Sequence, residues 1–238
     1  MNKDYIKPND WSIVELGFDE RNVKASESIF SIGNGAMGQR ANFEEDYSGS
    51  TLQGSYIGGI YYPDKTRVGW WKNGYPEYFA KVLNAPNWIG IGIQINGTNL
   101  DLHTCEVTEF MRELNMKEGW LSRSFVAVLP EGEKIQVYSK RFISLKYNEI
   151  GAIEYHVRAL NFTGTVTMSP YLDSGILNED SNYDERFWET LDIQVDTNKG
   201  CILAKTLKTN FHVATAMRVG FTLNNTAIVP EQETSVDE

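Results

Sequence analysis

The chain has 238 residues, 41% of them hydrophobic and 12% aromatic, with 22 Lys plus Arg against 32 Asp plus Glu and a net charge of −10. That length suits one large domain, and all-β sandwiches reach it as a single unit. The acidic balance excludes the basic footprint that nucleic acid or an anionic membrane surface demands, and no apolar run approaches the ~20 residues of a membrane helix.

The N-terminal segment Met1–Pro8 has no apolar core, so it is not a signal peptide, and a cytoplasmic location is expected. Cys105 and Cys201 lie far apart, without C-x-x-C or metal spacing, and are expected to be free thiols of a reducing compartment. The sequons at Asn96, Asn161 and Asn224 then carry no sugar.

The first informative stretch is Phe30-Ser31-Ile32-Gly33-Asn34-Gly35-Ala36-Met37-Gly38-Gln39-Arg40. A phosphate loop of the Walker type needs Lys-Ser or Lys-Thr after its last glycine, and Gln39-Arg40 stands there instead. A dinucleotide loop needs a strand–helix repeat, which is absent. The segment therefore reads as a tight structural turn built on Gly33, Asn34, Gly35 and Gly38. The acidic triplet Glu44-Glu45-Asp46 follows. It is either a solvated loop, as charge runs usually are, or a cluster that raises a carboxyl pKa.

An aromatic patch comes next: Tyr61, Tyr62, Trp70, Trp71, Tyr75, Tyr78 and Phe79. Adjacent Trp residues on a strand point to opposite faces, so Trp70 and Trp71 cannot both enter one core. With Tyr75 they are candidates for an interface or a carbohydrate platform. Pro76–Leu83 places Phe79, Val82 and Leu83 at helical spacing, which allows one short helical turn.

From Trp88 onward the period is mostly two. Ile89, Ile91, Ile93 and Ile95 form a half-buried strand, Asn96-Gly97 is a hairpin signal, and residues 99–102 start the return. Further strands are expected at Trp120–Leu129, Ile135–Ile143, Gly151–Leu160, Thr165–Leu172, Leu191–Val195, Cys201–Leu207 and Phe211–Thr222. Turn-like separators divide them. Many strands without intervening helices mean an antiparallel sandwich or barrel. The tail, residues 229–238, is polar and acidic.

The long connection Asp173–Trp188 is the better functional candidate. Asn178, Asp180 and Arg186 could bind sugar hydroxyls, and Trp188 could stack on a pyranose ring. The alternative is a connection in which Phe187 and Trp188 are buried anchors. His103, His156 and His212 have no partner motif and read as structural. No G-x-S-x-G elbow or metal spacing occurs.

Several motifs occur in a characteristic order. They are Gly17-Phe18-Asp19-Glu20-Arg21, Glu27-Ser28-Ile29-Phe30, the glycine turn, Arg40-Ala41-Asn42-Phe43-Glu44-Glu45 and Leu83-Asn84-Ala85-Pro86-Asn87-Trp88. This series, from Gly17 to Trp188, resembles the N-terminal domain of glycoside hydrolase family 65. That family contains inverting phosphorylases of maltose, trehalose, kojibiose and nigerose. The segment Tyr61–Pro76 is most similar to the maltose-type members. Leu83-Asn84-Ala85-Pro86 departs from the Asn-Leu-Pro expected there.

The resemblance implies a large two-sheet super-sandwich, like galactose mutarotase, over residues 1–228. It implies that catalysis belongs to a helical barrel of the same polypeptide, absent from this chain, so no residue here is expected to be catalytic. The full enzyme would convert maltose and inorganic phosphate, a co-substrate, to β-glucose 1-phosphate and glucose, without a cofactor or metal. Its expected partners are that barrel, an α-linked glucose disaccharide and a second subunit in a homodimer. A carbohydrate-binding module, a domain of a trehalose, kojibiose or nigerose phosphorylase, a dimerisation domain and a mutarotase are the alternatives.

Overall fold

The computed structural model describes residues 5–66, 76–178, 185–229 and 235–236. Of the described residues, 51% are strand and 5% helix, in several antiparallel sheets, so the chain is the all-β protein that its alternation predicts. It groups into two compact units. One is Met1–Ser55 with Ile89–Pro170, and the other is Tyr56–Trp88 with Tyr171–Glu238.

The first unit is built on a six-stranded sheet in the order Ile6–Pro8, Ser12–Leu16, Glu106–Asn115, Trp120–Val128, Lys134–Ile143, Gly151–Ala159. Alternation sends Phe125, Ala127, Ile135 and Val137 inward. They join a core with Ile91, Ile93 and Ile95 of a three-stranded sheet. There the expected hairpin forms: Asn96 and Gly97 both take positive φ, 50° and 88°, as its two-residue turn requires.

Several elements were not anticipated, among them a long strand and a short helix. The strand Glu106–Asn115 is broken by a bulge between Thr108 and Met111, where Glu109 has φ 53°. The extra residue shifts the period and hides the alternation. A 3-10 turn at Glu20–Asn22 leads into a helix at Val23–Ile29. Asp19 caps the 3-10 turn by accepting from the Arg21 backbone N–H at 3.0 Å. Seven residues are too few to fold on their own. The helix is fixed by burying Val23, Ser26 and Glu27, and Glu27 accepts from the Leu52 N–H at 2.8 Å and from the Thr51 hydroxyl.

The glycine segment forms the hairpin Ile32–Gly33 with Met37–Gln39. Asn34 is its keystone. Its side-chain oxygen accepts from the N–H groups of Ala36 and Met37 at 2.9 and 2.8 Å. Its amide donates to the carbonyls of Ser144 and Asn148 at 2.7 and 3.1 Å. The glycines play unequal parts. Gly35 sits at φ 90°, where a side chain is strained, and a Cβ on Gly33 would meet the Met37 carbonyl at 3.1 Å. Gly38 meets only the Ile32 carbonyl, at an ordinary 3.8 Å.

The second unit has its own core of Tyr62, Leu83, Ala85, Ile176, Phe187 and Trp188 with Ala204 and Val213. Its sheets are Trp188–Asp196, Lys199–Thr206 and His212–Arg218; Tyr61–Lys65 with Tyr78–Val82; and Phe221–Leu223 with Thr226–Ile228. The segment expected as a helical turn is a strand. Tyr78–Val82 is far below the length a helix needs, and a fully registered partner, Tyr61–Lys65, takes up its backbone hydrogen bonds. The strand expected over Phe211–Thr222 ends at Arg218 and resumes at Phe221.

Gly35→Ala should therefore destabilise the protein by more than about 1 kcal/mol, because it forces a side chain into positive φ. Gly33→Ala should cost less and Gly38→Ala close to nothing. Melting temperatures of the three variants check the order. Equal melting would remove the conformational argument.

Candidate functional site

The connection ending at Trp188 is pinned by hydrogen bonds within the second unit. Asn178 accepts from the Asn84 N–H and donates to the Val82 carbonyl, both at 2.8 Å. Asn84 returns a bond to the Leu177 carbonyl at 2.8 Å. Trp188 is only 8% exposed, and its indole N–H donates to the Asn84 carbonyl at 2.7 Å. The pyranose-stacking reading of Trp188 is thereby corrected: its ring packs with Phe187 in the core. Asn178 is likewise a clip whose amide is spent on the main chain. Arg186 is exposed. Asp180 lies outside the described residues, as do Trp70, Trp71 and Tyr75.

Beside this connection Glu185 accepts from Lys208 Nζ at 2.7 Å and from the Tyr62 hydroxyl at 3.3 Å. Burial and the adjacent Glu185 carboxylate push the Tyr62 phenol up, so it stays neutral.

The hairpin that carries Tyr62 is turned against the usual pattern. Lys81 and Asp64 point inward and pair at 2.6 Å, both nearly buried. Lys81 Nζ also lies 5.2 Å from the Phe187 ring centre. Its outward face carries Tyr61, Tyr78 and Val82, 45%, 55% and 62% exposed, with the exposed Lys65 opposite Tyr78.

The acidic triplet also departs from its expectation. Glu44 and Glu45 are not solvated; each is 3% exposed. Arg123 Nη2 donates to both, at 2.6 Å to Glu44. Arg141 Nη1 reaches Glu44 at 3.0 Å and the Asn42 carbonyl at 2.9 Å, while its Nη2 reaches the Arg40 carbonyl at 2.9 Å. The Tyr155 hydroxyl donates to Glu45. Burial alone would push the Glu44 carboxyl up, but Arg141 and Arg123 outweigh it and hold it below its ordinary range. A carboxyl so held is a poor proton donor.

Sequence reasoning missed this cluster because Arg123 and Arg141 are polar interruptions at core positions of two strands. That misplacement is itself the signal that an inward-facing acid must meet them.

Among the described residues no group of His, Cys, Asp and Glu could hold a metal, and no helix is long and apolar enough to cross a membrane. His103 and His156 pair with Glu20 and Glu154 at 3.0 and 2.9 Å in exposed positions.

Trp188→Phe should cost about 1–3 kcal/mol by orphaning the buried Asn84 carbonyl. A lower melting temperature with unchanged sugar affinity is the expected pair of readings, and a sugar-binding loss at constant melting would restore the stacking role. Arg123→Met leaves two buried carboxylates facing one arginine and should cost about 3–5 kcal/mol. The Glu44 pKa is lowered on folding from 4.5. Its contribution is thus fully present above that value and is lost as pH falls toward the folded one. Acid unfolding of Glu44→Gln should therefore show a flatter acid limb than the parent, and an unchanged limb would remove Glu44 from the account.

Three comparisons bear on identity. The family model described as glycosyl hydrolase family 65, N-terminal domain, matches residues 13–238. Maltose phosphorylase of Bacillus subtilis is 45% identical over 211 residues, covering 89% of this chain and 28% of that protein. Alpha,alpha-trehalose phosphorylase of Thermoanaerobacter brockii is 32% identical over 87% of this chain and 28% of that protein. A solved structure assigned as a kojibiose phosphorylase from human microbiome superposes with a TM-score of 0.82 at 27% identity, over 95% of this chain and 29% of that one. This chain thus spans less than a third of the length of these relatives. On the match to the family model and the shared sandwich, the chain belongs to glycosyl hydrolase family 65, as its N-terminal domain.

Proposed function

We propose that this chain is the non-catalytic β domain of a longer, maltose-type α-glucoside phosphorylase. The longer enzyme joins maltose and inorganic phosphate to give β-glucose 1-phosphate and glucose, with inversion at the anomeric carbon. One observation carries the substrate: the maltose phosphorylase relative is 45% identical, against 32% for the trehalose relative. Discrimination between disaccharides belongs to a helical-barrel domain of the same polypeptide. The role of this chain is to support that domain and the subunit interface of a cytoplasmic homodimer.

Two features support a supporting rather than a catalytic role. Glu44 and Glu45, buried and acidic, are locked to arginines instead of poised to give up a proton. The outward apolar strand face of Tyr61, Tyr78 and Val82 offers a docking area for the barrel. Asn178, Asp180 and Arg186 belong in sequence to the connection Asp173–Trp188, and Trp70, Trp71 and Tyr75 lie in sequence between the two strands of the hairpin. The reading extends the interface to those three aromatic residues. Inorganic phosphate is a substrate in this scheme, and no cofactor or metal is required.

Incubated with maltose and phosphate, this chain alone should release no glucose 1-phosphate, whereas the longer protein should release it with maltose and far more slowly with trehalose or kojibiose. Turnover by the chain alone, lost on substitution of one of its own residues, would overturn the non-catalytic role. A longer protein that prefers trehalose would overturn the maltose assignment and leave the role intact.

A further inference from the structure

The outer face of the six-stranded sheet is patterned in rows. Antiparallel register sets Leu16, Met111, Ser124, Tyr138 and His156 side by side across five strands. The next row is Val14, Glu113, Ser122, Lys140 and Glu154, and the row beyond it sets Trp120 beside Phe142. A row led by Leu16, Met111 and Tyr138, a charged row and an aromatic pair thus follow one another, and in the first two rows the central strand contributes only the small Ser124 and Ser122.

Tyr138 and Phe142 are 37% and 44% exposed. They lie four residues apart on one strand, about 14 Å at the usual rise. Lys140 stands between them with Nζ 4.4 Å above the Trp120 ring. The Tyr138 hydroxyl is near enough to Glu154 and Glu113 that both, after burial, push it up. His156 stacks toward Tyr138 at 5.8 Å between ring centres and meets Glu154 at 2.9 Å.

A protein cover would have to desolvate Glu113, Lys140, Glu154 and His156 together, which is costly unless each finds a partner. A membrane or an anionic ligand would meet the chain's net charge of −10, and on the face itself Glu113 and Glu154 are matched by Lys7, Lys140 and Arg158, so no local excess of either sign recruits a charged ligand. A neutral polyhydroxylated ligand avoids both penalties. Its apolar ring faces fit the aromatic side chains at the two ends, and its hydroxyls can donate to Glu113 and Glu154 and accept from Lys140. The spacing spans a short oligosaccharide rather than one ring.

We propose that this sheet face is a binding site for neutral α-linked gluco-oligosaccharides. The choice of α-linked glucose units rests on the maltose-type reading above; the site itself rests on the face.

The test is affinity electrophoresis and calorimetry of this chain with maltose, maltotetraose, maltoheptaose and, as a contrast, cellotetraose. Maltotetraose should bind more tightly than maltose, and Tyr138→Ala and Phe142→Ala should each weaken it at least tenfold without lowering the melting temperature. Trp11→Ala, at an exposed tryptophan off this face, should bind like the parent. Failure of every oligosaccharide to bind, or equal binding by all variants, overturns the proposal. So does self-association of the chain that Tyr138→Ala and Phe142→Ala abolish, since the face would then be a protein contact. Preference for cellotetraose would keep a sugar face and overturn the glucose-linkage assignment. The maltose reading is judged separately: in the longer protein Tyr138→Ala should leave kcat on maltose unchanged, so loss of one result does not carry the other with it.

Discussion

The first unit depends on a single electrostatic knot. Arg112, Arg123 and Arg141 point from three neighbouring strands into the interior, where hydrocarbon side chains would be the cheaper choice. Each buried guanidinium demands compensation. Glu44 and Glu45 supply it for Arg123 and Arg141, and Glu15, 3.6 Å from Arg112, supplies it less completely. Aromatic rings take up the rest. Phe43 lies 4.7 Å from the Arg123 guanidinium and 5.2 Å from that of Arg112. Burial pushes Arg112 down to about 10, which still leaves it charged at neutral pH. The segment Arg40–Glu45 is therefore held against the inner face of the sheet by the side chains of its strands. Arg141 grips the carbonyls of Arg40 and Asn42, and the Glu44 carbonyl accepts from the Ile91 N–H at 2.8 Å. A knot of this kind fixes register more strictly than apolar packing does, because a slip of one residue would leave several charges buried without partners.

The two units solve the same problem in opposite ways. In the first, charge is drawn inside the sheet and matched there. In the second, the pair Asp64–Lys81 is buried beneath the hairpin while Tyr61, Tyr78 and Val82 stay exposed on its outward face. That face is the docking area proposed above for the rest of the longer protein.

How much of this could be read from sequence follows from the kind of signal. The isoleucine alternation ending in Asn96-Gly97 and the strands Trp120–Val128 and Lys134–Ile143 announce themselves, because one face is mostly apolar and turn chemistry closes each end. Asn34 was legible as a turn residue, but its grip on Ser144 and Asn148 spans more than a hundred positions, which no local pattern encodes. Glu109 hid its strand by adding one residue to the count. Glu44 and Glu45 misled for a different reason. A run of acids is usually wet, and only partners 78 and 79 positions further on make it dry. Trp188 was legible as an aromatic of consequence, yet the choice between platform and anchor depended on the Asn84 carbonyl, 104 residues away.

The same geometry supports the non-catalytic role proposed for the motif-bearing segment. Inverting transfer to phosphate needs a carboxyl that remains protonated until it meets the glycosidic oxygen. Glu44 is pushed the other way by two arginines. Glu15 is raised by burial, yet it is sealed under the sheet with Ser26 Oγ at 2.8 Å and offers a substrate no approach. Glu154 beside His156 is open to solvent. Of these three acids, one is matched by arginine, one is enclosed without access and one is exposed. Each state suits a scaffold. What the scaffold leaves available is surface: an apolar strand face in one unit, and in the other a sheet face whose aromatic and polar rows can hold a sugar without transforming it.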